Sequence, residues 1–356
     1  MKKFTILAIF VAMVISTSAQ YKMQIWVNGY NVIYDVSTVD SVVFIDETPK
    51  KLFSIAEDKT VCFSPGNLQF NATKGSHLRA DGTIAKGTWR FAENQWDCIG
   101  EANQNIAETY DGWIDLFGWG TSGYDNTAND TLAIFYQPWS YSTTDLSSIP
   151  IDSTLNCDAY EITGECEWEY IYYDNTHNTY GYGPSTNMLD ANLVGTSAYY
   201  DWGVYNAISN GGNTPGLWRT LTNTEWEYLL NTRKNAQFLR SQATVNGVYG
   251  YVILPDDFKK PADVTWKYQT NEWSTNTYTI EQWKKLEAVG AIFLPLAGER
   301  QGTSIYDLYH RTFYWTVNSD GHSFGALALY FCPTEARLTD YDARYSGRCV
   351  RLVKDL

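Results

Sequence analysis

The stretch GLWRTLTNTEWEYLLNTRK, residues 216–234, decides how the rest of the chain is read. Thr222-Asn223-Thr224-Glu225 has the spacing of a capping box. The Thr222 hydroxyl accepts from the backbone N–H three residues on, and the Glu225 carboxylate reaches back to the N–H of Thr222. Trp226, Leu229 and Leu230 then recur at i, i+3 and i+4, one apolar stripe of a helix facing a core. Two glutamates around a tryptophan also raise the question of an acid/base pair. The cap accounts for Glu225, whose charge is favoured at a helix N-terminus, and Glu227 points away from the apolar stripe. Both read as framework.

Working outward, Thr279-Ile280-Glu281-Gln282 is a second box, with Ile280, Trp283 and Leu286 facing inward and Gly290 as the C-terminal stop. Beyond it AIFLPLAG (291–298), TFYWTV (312–317), ALALYF (326–331) and GRCVRLV (347–353) read as strands between polar turns. Upstream, KTVCFSPGNLQF (59–70) is a strand, a Pro-Gly turn and a second strand. Two helices with a run of strands predict an α+β fold. Residues 126–215, rich in Asn, Ser, Thr, Gly and Tyr, predict long loops and short strands, the kind of segment that often carries function.

The N-terminus has the three-part pattern of a secretory signal peptide over residues 1–19: Lys2-Lys3, the apolar run FTILAIFVAMVI and the small residues STSA. That run falls short of the ~20 apolar residues of a membrane-spanning helix. The expectation is an exported chain, secreted, periplasmic or at the outer cell surface, with no membrane insertion after signal cleavage. Residues 20–48 alternate apolar and polar side chains around Asn28-Gly29. They predict a short β-hairpin module, too small to fold alone, ahead of a main domain over 52–353.

A net charge of −14 with no Lys/Arg-rich block disfavours nucleic acid as a partner. The chain is 16% aromatic, with 14 Trp, 27 Tyr and 15 Phe; a thick aromatic core explains most of them, and a share of the Tyr and Trp reads as a surface site for sugars or peptides. Six cysteines in an exported chain permit disulfides. Proximity in sequence favours Cys157–Cys166 and Cys332–Cys349, leaving Cys62–Cys98. No CxxC spacing occurs, and the histidines (His77, His177, His310, His322) do not pair as zinc ligands. The loop YDNTANDT sets Asp125, Asn126, Asn129 and Asp130 together as calcium candidates, without EF-hand spacing. No cofactor is called for.

Residues 216–233 resemble the helix segment of the sulfatase-modifying-factor, or formylglycine-generating-enzyme, family. Arg219, Leu221, Thr222, Glu225, Trp226, Glu227 and Tyr228 fall on its pattern, although Thr222 follows Leu221 directly where the family has a proline. The ending YSGRCVRLV (345–353) is similar to that family's Gly-Phe-Arg-Cys-Val-Arg type of ending. The set FSPGNLQF, WRFAENQWDCIG, GWIDLFGWGTSGYDN, DWGVYNAISNGG, GAIFLPLAGERQGTS, YWTV and SGRCVRLV resembles more closely the exported Bacteroidetes-type proteins related to the Fibrobacter succinogenes major paralogous domain. The likeness spans about residues 52–353. It implies a C-type-lectin-like fold: twisted antiparallel strands, two helices and long loops that carry binding.

The departures from that family bear on function. Its oxidases bind copper through two cysteines a few residues apart, whereas Cys332 and Cys349 are seventeen positions apart. The expectation is therefore a non-catalytic, adhesin-like protein. In the fold the resemblance implies, the C-terminal stretch is part of the outward binding face, and here it holds Tyr306, Asp307, Tyr309, His310, Arg311, Asn318, Asp320, His322, Tyr341, Asp342 and Tyr345. That mixture has the composition of a paratope for an extracellular glycan or protein ligand. Some proteins of this fold are diversified by retroelements at adenine-containing codons, and the cluster between Tyr306 and Tyr345 is compatible with that. The alternatives are a formylglycine-generating-type metal oxidase and a glycoside hydrolase. The latter needs two carboxylates about 5–9 Å apart, for which Asp111, Asp115, Glu165, Glu167 and Glu169 are candidates without a motif.

Overall fold

A computed structural model of the chain describes residues 22–27, 30–35, 51–124, 137–139, 192–270, 272–320, 325–332, 336–338, 342–344 and 346–356. The chain divides into two units, Met1–Thr48 and Pro49–Leu356. In the first, β1 (Lys22–Val27) and β2 (Tyr30–Asp35) form the expected antiparallel hairpin, with Val27 opposite Tyr30. The Asn28-Gly29 turn, the signal-peptide pattern and most of 126–215 lie outside the described residues. Among the described residues, no helix is long and apolar enough to cross a membrane.

The second unit is α+β, as the sequence predicts. Its strands are β3 (Phe53–Ala56), β4 (Lys59–Phe63), β5 (Leu68–Leu78), β6 (Ile84–Phe91), β7 (Arg240–Val245), β8 (Val248–Ile253), β9 (Thr277–Tyr278), β10 (Ile292–Pro295), β11 (Glu299–Gln301), β12 (Ser304–Tyr306), β13 (Thr312–Ser319), β14 (Gly325–Phe331), β15 (Ala336–Leu338), β16 (Asp342–Ala343) and β17 (Val353–Asp355). They pair as β17-β4-β3, a long β5-β6 hairpin, β10-β8-β7-β9, β11-β12 and β13-β14-β15, with β16 also on β14. All of these pairings are antiparallel except β7 with β9.

Side-chain alternation along strands turns these sheets into partitions between three apolar clusters. Along β13, Phe313, Trp315 and Val317 face a first cluster with Trp89, Trp119 and Trp202. Tyr314 faces a second cluster with Trp226, Leu229 and Leu230. Along β8 and β10, Tyr251, Ile253, Ile292 and Leu294 face that second cluster, while Val252 and Phe293 face a third with Trp283 and Leu286. Strands buried on both faces carry runs of apolar residues instead of alternating with polar ones. This explains why IFLP in β10 is buried throughout.

Both capping boxes form in full, over the helices Asn223–Glu227 and Ile280–Ala288. The first helix widens into a π turn over Tyr228–Thr232, which keeps Leu229 and Leu230 on the buried side with Trp226. In the second, Trp283 and Leu286 are buried as expected, and Gly290 follows with a left-handed φ of 98°. Ile280 departs from expectation at 37% exposed: as the first helical residue it lies off the end of the packed stripe.

Glu225 accepts from the Thr222 N–H at 2.9 Å and takes both guanidinium nitrogens of Arg219, at 2.7 and 2.9 Å, with Lys59 at 3.0 Å. Glu227 is exposed and accepts from Asn231 Nδ2. The two carboxylates have separate structural partners, as framework residues should.

Of the cysteine pairings expected from proximity, Cys62–Cys98 and Cys332–Cys349 do not form. Cys62, Cys98 and Cys349 are free thiols. Alternation supplies the reason: Val61 and Phe63 face the second cluster, so Cys62 between them turns away from it, whereas Cys98 packs against it. Likewise Phe331 takes the inward position and turns Cys332 outward, while Cys349 is buried inside with its Sγ 3.6 Å from Thr312 Oγ1. Cys157 and Cys166 lie outside the described residues.

Candidate functional site

The polar-aromatic residues picked out in the sequence divide between the two ends of β13. Tyr306, Asp307, Tyr309, His310 and Arg311 precede its first residue, and Asn318 and Asp320 close its far end. Asp342 joins the far end, since its backbone pairs with Ala326 beside Ser319. Thr312 pairs with Phe331 and Ser319 with Ala326, so these ends lie five strand steps apart along β14, or roughly 17 Å at about 3.3 Å per residue. These residues therefore make two groups and not one face. His322, Tyr341 and Tyr345 lie outside the described residues, as do Asp125, Asn126, Asn129 and Asp130.

The far group is engaged in holding the fold. Asn318 Oδ1 accepts from the backbone N–H of Asn223 at 2.7 Å, tying the end of β13 to the first capped helix. Arg344 donates to Gly325 O and, at 2.6 Å, to Ser319 Oγ, with its guanidinium 4.5 Å from the centre of the Trp119 ring. Asp320 donates its backbone N–H to Gly325 O.

The near group forms a turn, Tyr306–Arg311, pinned from several sides. Tyr306 closes the β11-β12 ladder opposite Glu299. Asp307 and Tyr309 both adopt left-handed backbone, with φ of 53° and 66°. That region costs an L-residue about 1–2 kcal/mol and is rare for a bulky side chain such as tyrosine. The backbone N–H groups of His310 and Arg311 both donate to Asp307 O, and the Tyr309 N–H donates to Leu296 O at 3.1 Å. Gly298 donates to Arg311 O from a φ of 71°, so close beneath the turn that a Cβ there would lie 2.5 Å from Tyr306 O. Leu308 sits over Gly100, where an added Cβ would stand 3.4 Å from the leucine methyl.

A chain of charges braces the same turn from below. Arg311 Nη2 lies 2.6 Å from Asp307 Oδ2 and 3.0 Å from Glu299 Oε1. The other oxygen of Glu299 pairs with Arg348, and both of those side chains are buried. Burial pushes the pKa of the Arg348 guanidinium down. The Glu299 carboxylate and the Phe313 ring, 3.8 Å from the guanidinium to the ring centre, hold its charge in place. What the turn leaves outward is aromatic and polar: Tyr306 is 47% and Tyr309 48% exposed, and His310 is exposed beside them. This arrangement offers two half-exposed rings on a pinned backbone, with charged and hydrogen-bonding neighbours, chemistry suited to binding.

Of the carboxylates considered for hydrolysis, Asp111 and Asp115 fall within the described residues. Asp115 is buried, accepting from the backbone N–H of Ile99 and from Asn103 Nδ2; burial raises its pKa to about 6. Asp111 is exposed, and its backbone carbonyl accepts from Asn71 Nδ2. Glu165, Glu167 and Glu169 lie outside the described residues. Among the described residues, no three of His, Cys, Asp and Glu are grouped to hold a metal ion. His77 is buried between Gly87 O and Asn206 Oδ1, as part of the framework.

The sequence reading did not single out Tyr249, 42% exposed, whose ring stacks on Trp273 with centroids 5.6 Å apart and planes at 15°. Its signal is present in the chain: Asn246-Gly247 is a tight-turn dipeptide, and the strand after it begins with Val248 and Tyr249. Comparison of the chain with protein-family models, with curated proteins and with solved structures finds no match.

Proposed function

We propose that this chain is a secreted or cell-surface, non-catalytic binding protein whose ligand, a glycan or a protein, docks on the turn Tyr306–Arg311. One observation carries the reading: two half-exposed tyrosines ride on a turn containing two left-handed residues, braced by backbone hydrogen bonds and by a charge chain that is buried at its Glu299–Arg348 end. Backbone strain of this kind persists where surrounding structure enforces it, and it clusters at functional sites. A backbone fixed before binding loses little entropy on contact, which favours affinity. The resemblance to exported lectin-like proteins and the signal-peptide pattern support the same reading and the C-type-lectin-like fold that goes with it.

The test is binding of the chain from Gln20 to glycan and protein arrays, beside a variant with Tyr306, Tyr309 and His310 changed to Ala. Specific binding lost in the folded variant supports the proposal. Specific binding that the variant retains in full refutes it.

A further inference from the structure

The stacked pair Tyr249–Trp273 lies at the rim of the second apolar cluster. By strand alternation Tyr249 shares a face of β8 with Tyr251 and Ile253, both inside that cluster, and Trp273 packs against the cluster from outside. Trp273 is anchored by its carbonyl, which accepts from Thr244 Oγ1 at 2.9 Å. The pair borders the turn described above through one residue. Leu296 donates its N–H to Tyr249 O at 2.8 Å and accepts from the Tyr309 N–H at 3.1 Å. The backbones of Tyr249 and Tyr309 thus both hydrogen-bond to one residue, Leu296, which follows β10. Ile305, beside Tyr306, packs against the same cluster.

We propose that the Tyr249–Trp273 pair is a second ring-stacking subsite, continuous with the Tyr306–Arg311 turn, and that the ligand spanning both is an oligosaccharide. This rests on the reading of the turn as a ligand site. The ligand class follows from the surface between the rings. A protein hot spot fills a desolvated apolar pocket ringed by further apolar contacts. Here each tyrosine is only half exposed, and its chain neighbours are polar: Asp307, His310 and Arg311 in the turn, and the exposed Glu272 beside Trp273. Such a surface is amphipathic on the scale of one side chain. A pyranose is amphipathic on that scale, with an apolar C–H face for a ring and hydroxyls at its edge for carboxylate and guanidinium groups. Two ring sites joined through one residue favour a chain of sugars over a single unit. Equatorial β-linkages keep such a chain extended, with a C–H face available at successive units.

The test is calorimetric titration of the chain from Gln20 with β-1,4-linked gluco- and N-acetylglucosamine oligosaccharides of one to six units. Affinity is expected to rise with chain length. Tyr249→Ala is expected to remove that rise, lowering affinity for the longer chains by about three- to tenfold, the range of one aromatic stacking contact. Tyr249→Trp is expected to restore it, and Tyr309→Ala to weaken every length that binds. Because Trp273 contributes to the core, Tyr249 carries the test, with an unchanged melting temperature as proof of folding.

Binding insensitive to Tyr249→Ala, or no binding of any oligosaccharide in the series, overturns the subsite. If no oligosaccharide binds while a protein ligand is held in a Tyr309-dependent way, the subsite falls and the reading of the turn stands. If oligosaccharide binding depends on Tyr249 and not on Tyr309, the reading of the turn falls, and the continuous site with it.

Discussion

Exchanging Tyr309 for Gly and, separately, for Ala isolates the backbone strain on which the proposed site rests. Both variants lose the same ring and the same contacts, so those losses cancel in the comparison. What remains is the left-handed φ of 66°. Alanine still meets the steric penalty of about 1–2 kcal/mol for an L-residue there, and glycine does not. Glycine gives back about 0.5–1 kcal/mol through the greater freedom of its unfolded chain. The Gly variant should therefore be the more stable by about 0.5–1 kcal/mol. His310 is the control: it is exposed, one residue away and not left-handed. There the ordinary order should hold, with Ala the more stable by a similar amount. Urea unfolding at a common m-value reads both pairs as shifts in midpoint. Tyr309→Ala as stable as Tyr309→Gly, or more so, would refute the claim that the turn holds a strained tyrosine.

Three further outcomes follow from the framework around the site. Thr222→Ala, which removes the cap acceptor for the Glu225 N–H, should cost about 1 kcal/mol in urea unfolding; Glu225→Gln should cost less than Glu225→Ala, because the amide oxygen can still serve the box while the ion pairs to Arg219 and Lys59 are lost. Burial raises the pKa of the Asp115 carboxyl from 3.8 to about 6. The folded state then holds more protons than the unfolded state across that window, and this contribution to stability falls as pH rises through it. The stability of wild type minus that of Asp115→Asn should thus fall between pH 4 and pH 7, by up to about 3 kcal/mol at 1.36 kcal/mol per unit; a difference that rises toward pH 7 would show the carboxylate to be stabilised by its hydrogen-bond donors instead. The Cys349 thiol, buried and with its pKa raised by burial, should resist a thiol reagent in the native protein and react once urea unfolds it. Non-reducing peptide mapping should find no link from Cys349 to Cys332.

Features governed by local rules were legible in the chain. Both capping boxes form as the four-residue spacings predict, because a cap needs only its own first turn. Trp226, Leu229 and Leu230 are buried even though the backbone beneath the latter two changes to a π turn. The hairpin at Asn246-Gly247 carries the same dipeptide signal as Asn28-Gly29, with φ of 50° and 81° at its two residues, and it positions Tyr249.

Other features depended on tertiary placement. The division of the polar-aromatic residues follows from strand length: TFYWTVNS, paired along five steps of β14, carries its two ends roughly 17 Å apart. Asn318 looks like a ligand contact by composition, yet its acceptor is taken by the helix start at Asn223, a partner 95 positions away. The cysteines failed as pairs because proximity in sequence says nothing about the side of a sheet a residue faces. Nor does any local pattern announce that Asp307 and Tyr309 are left-handed. The crowding of Gly298 beneath Tyr306 and the charge chain through Arg311, Glu299 and Arg348 impose it from outside the turn.

The most direct measurement of the central claim is array binding by wild type and Tyr309→Gly side by side, since glycine keeps the backbone of the turn and deletes one ring. The account predicts a discrete set of bound glycans or proteins for the wild type, and their loss in a variant with an intact cooperative unfolding transition. The same ligands held equally well by Tyr309→Gly would contradict it.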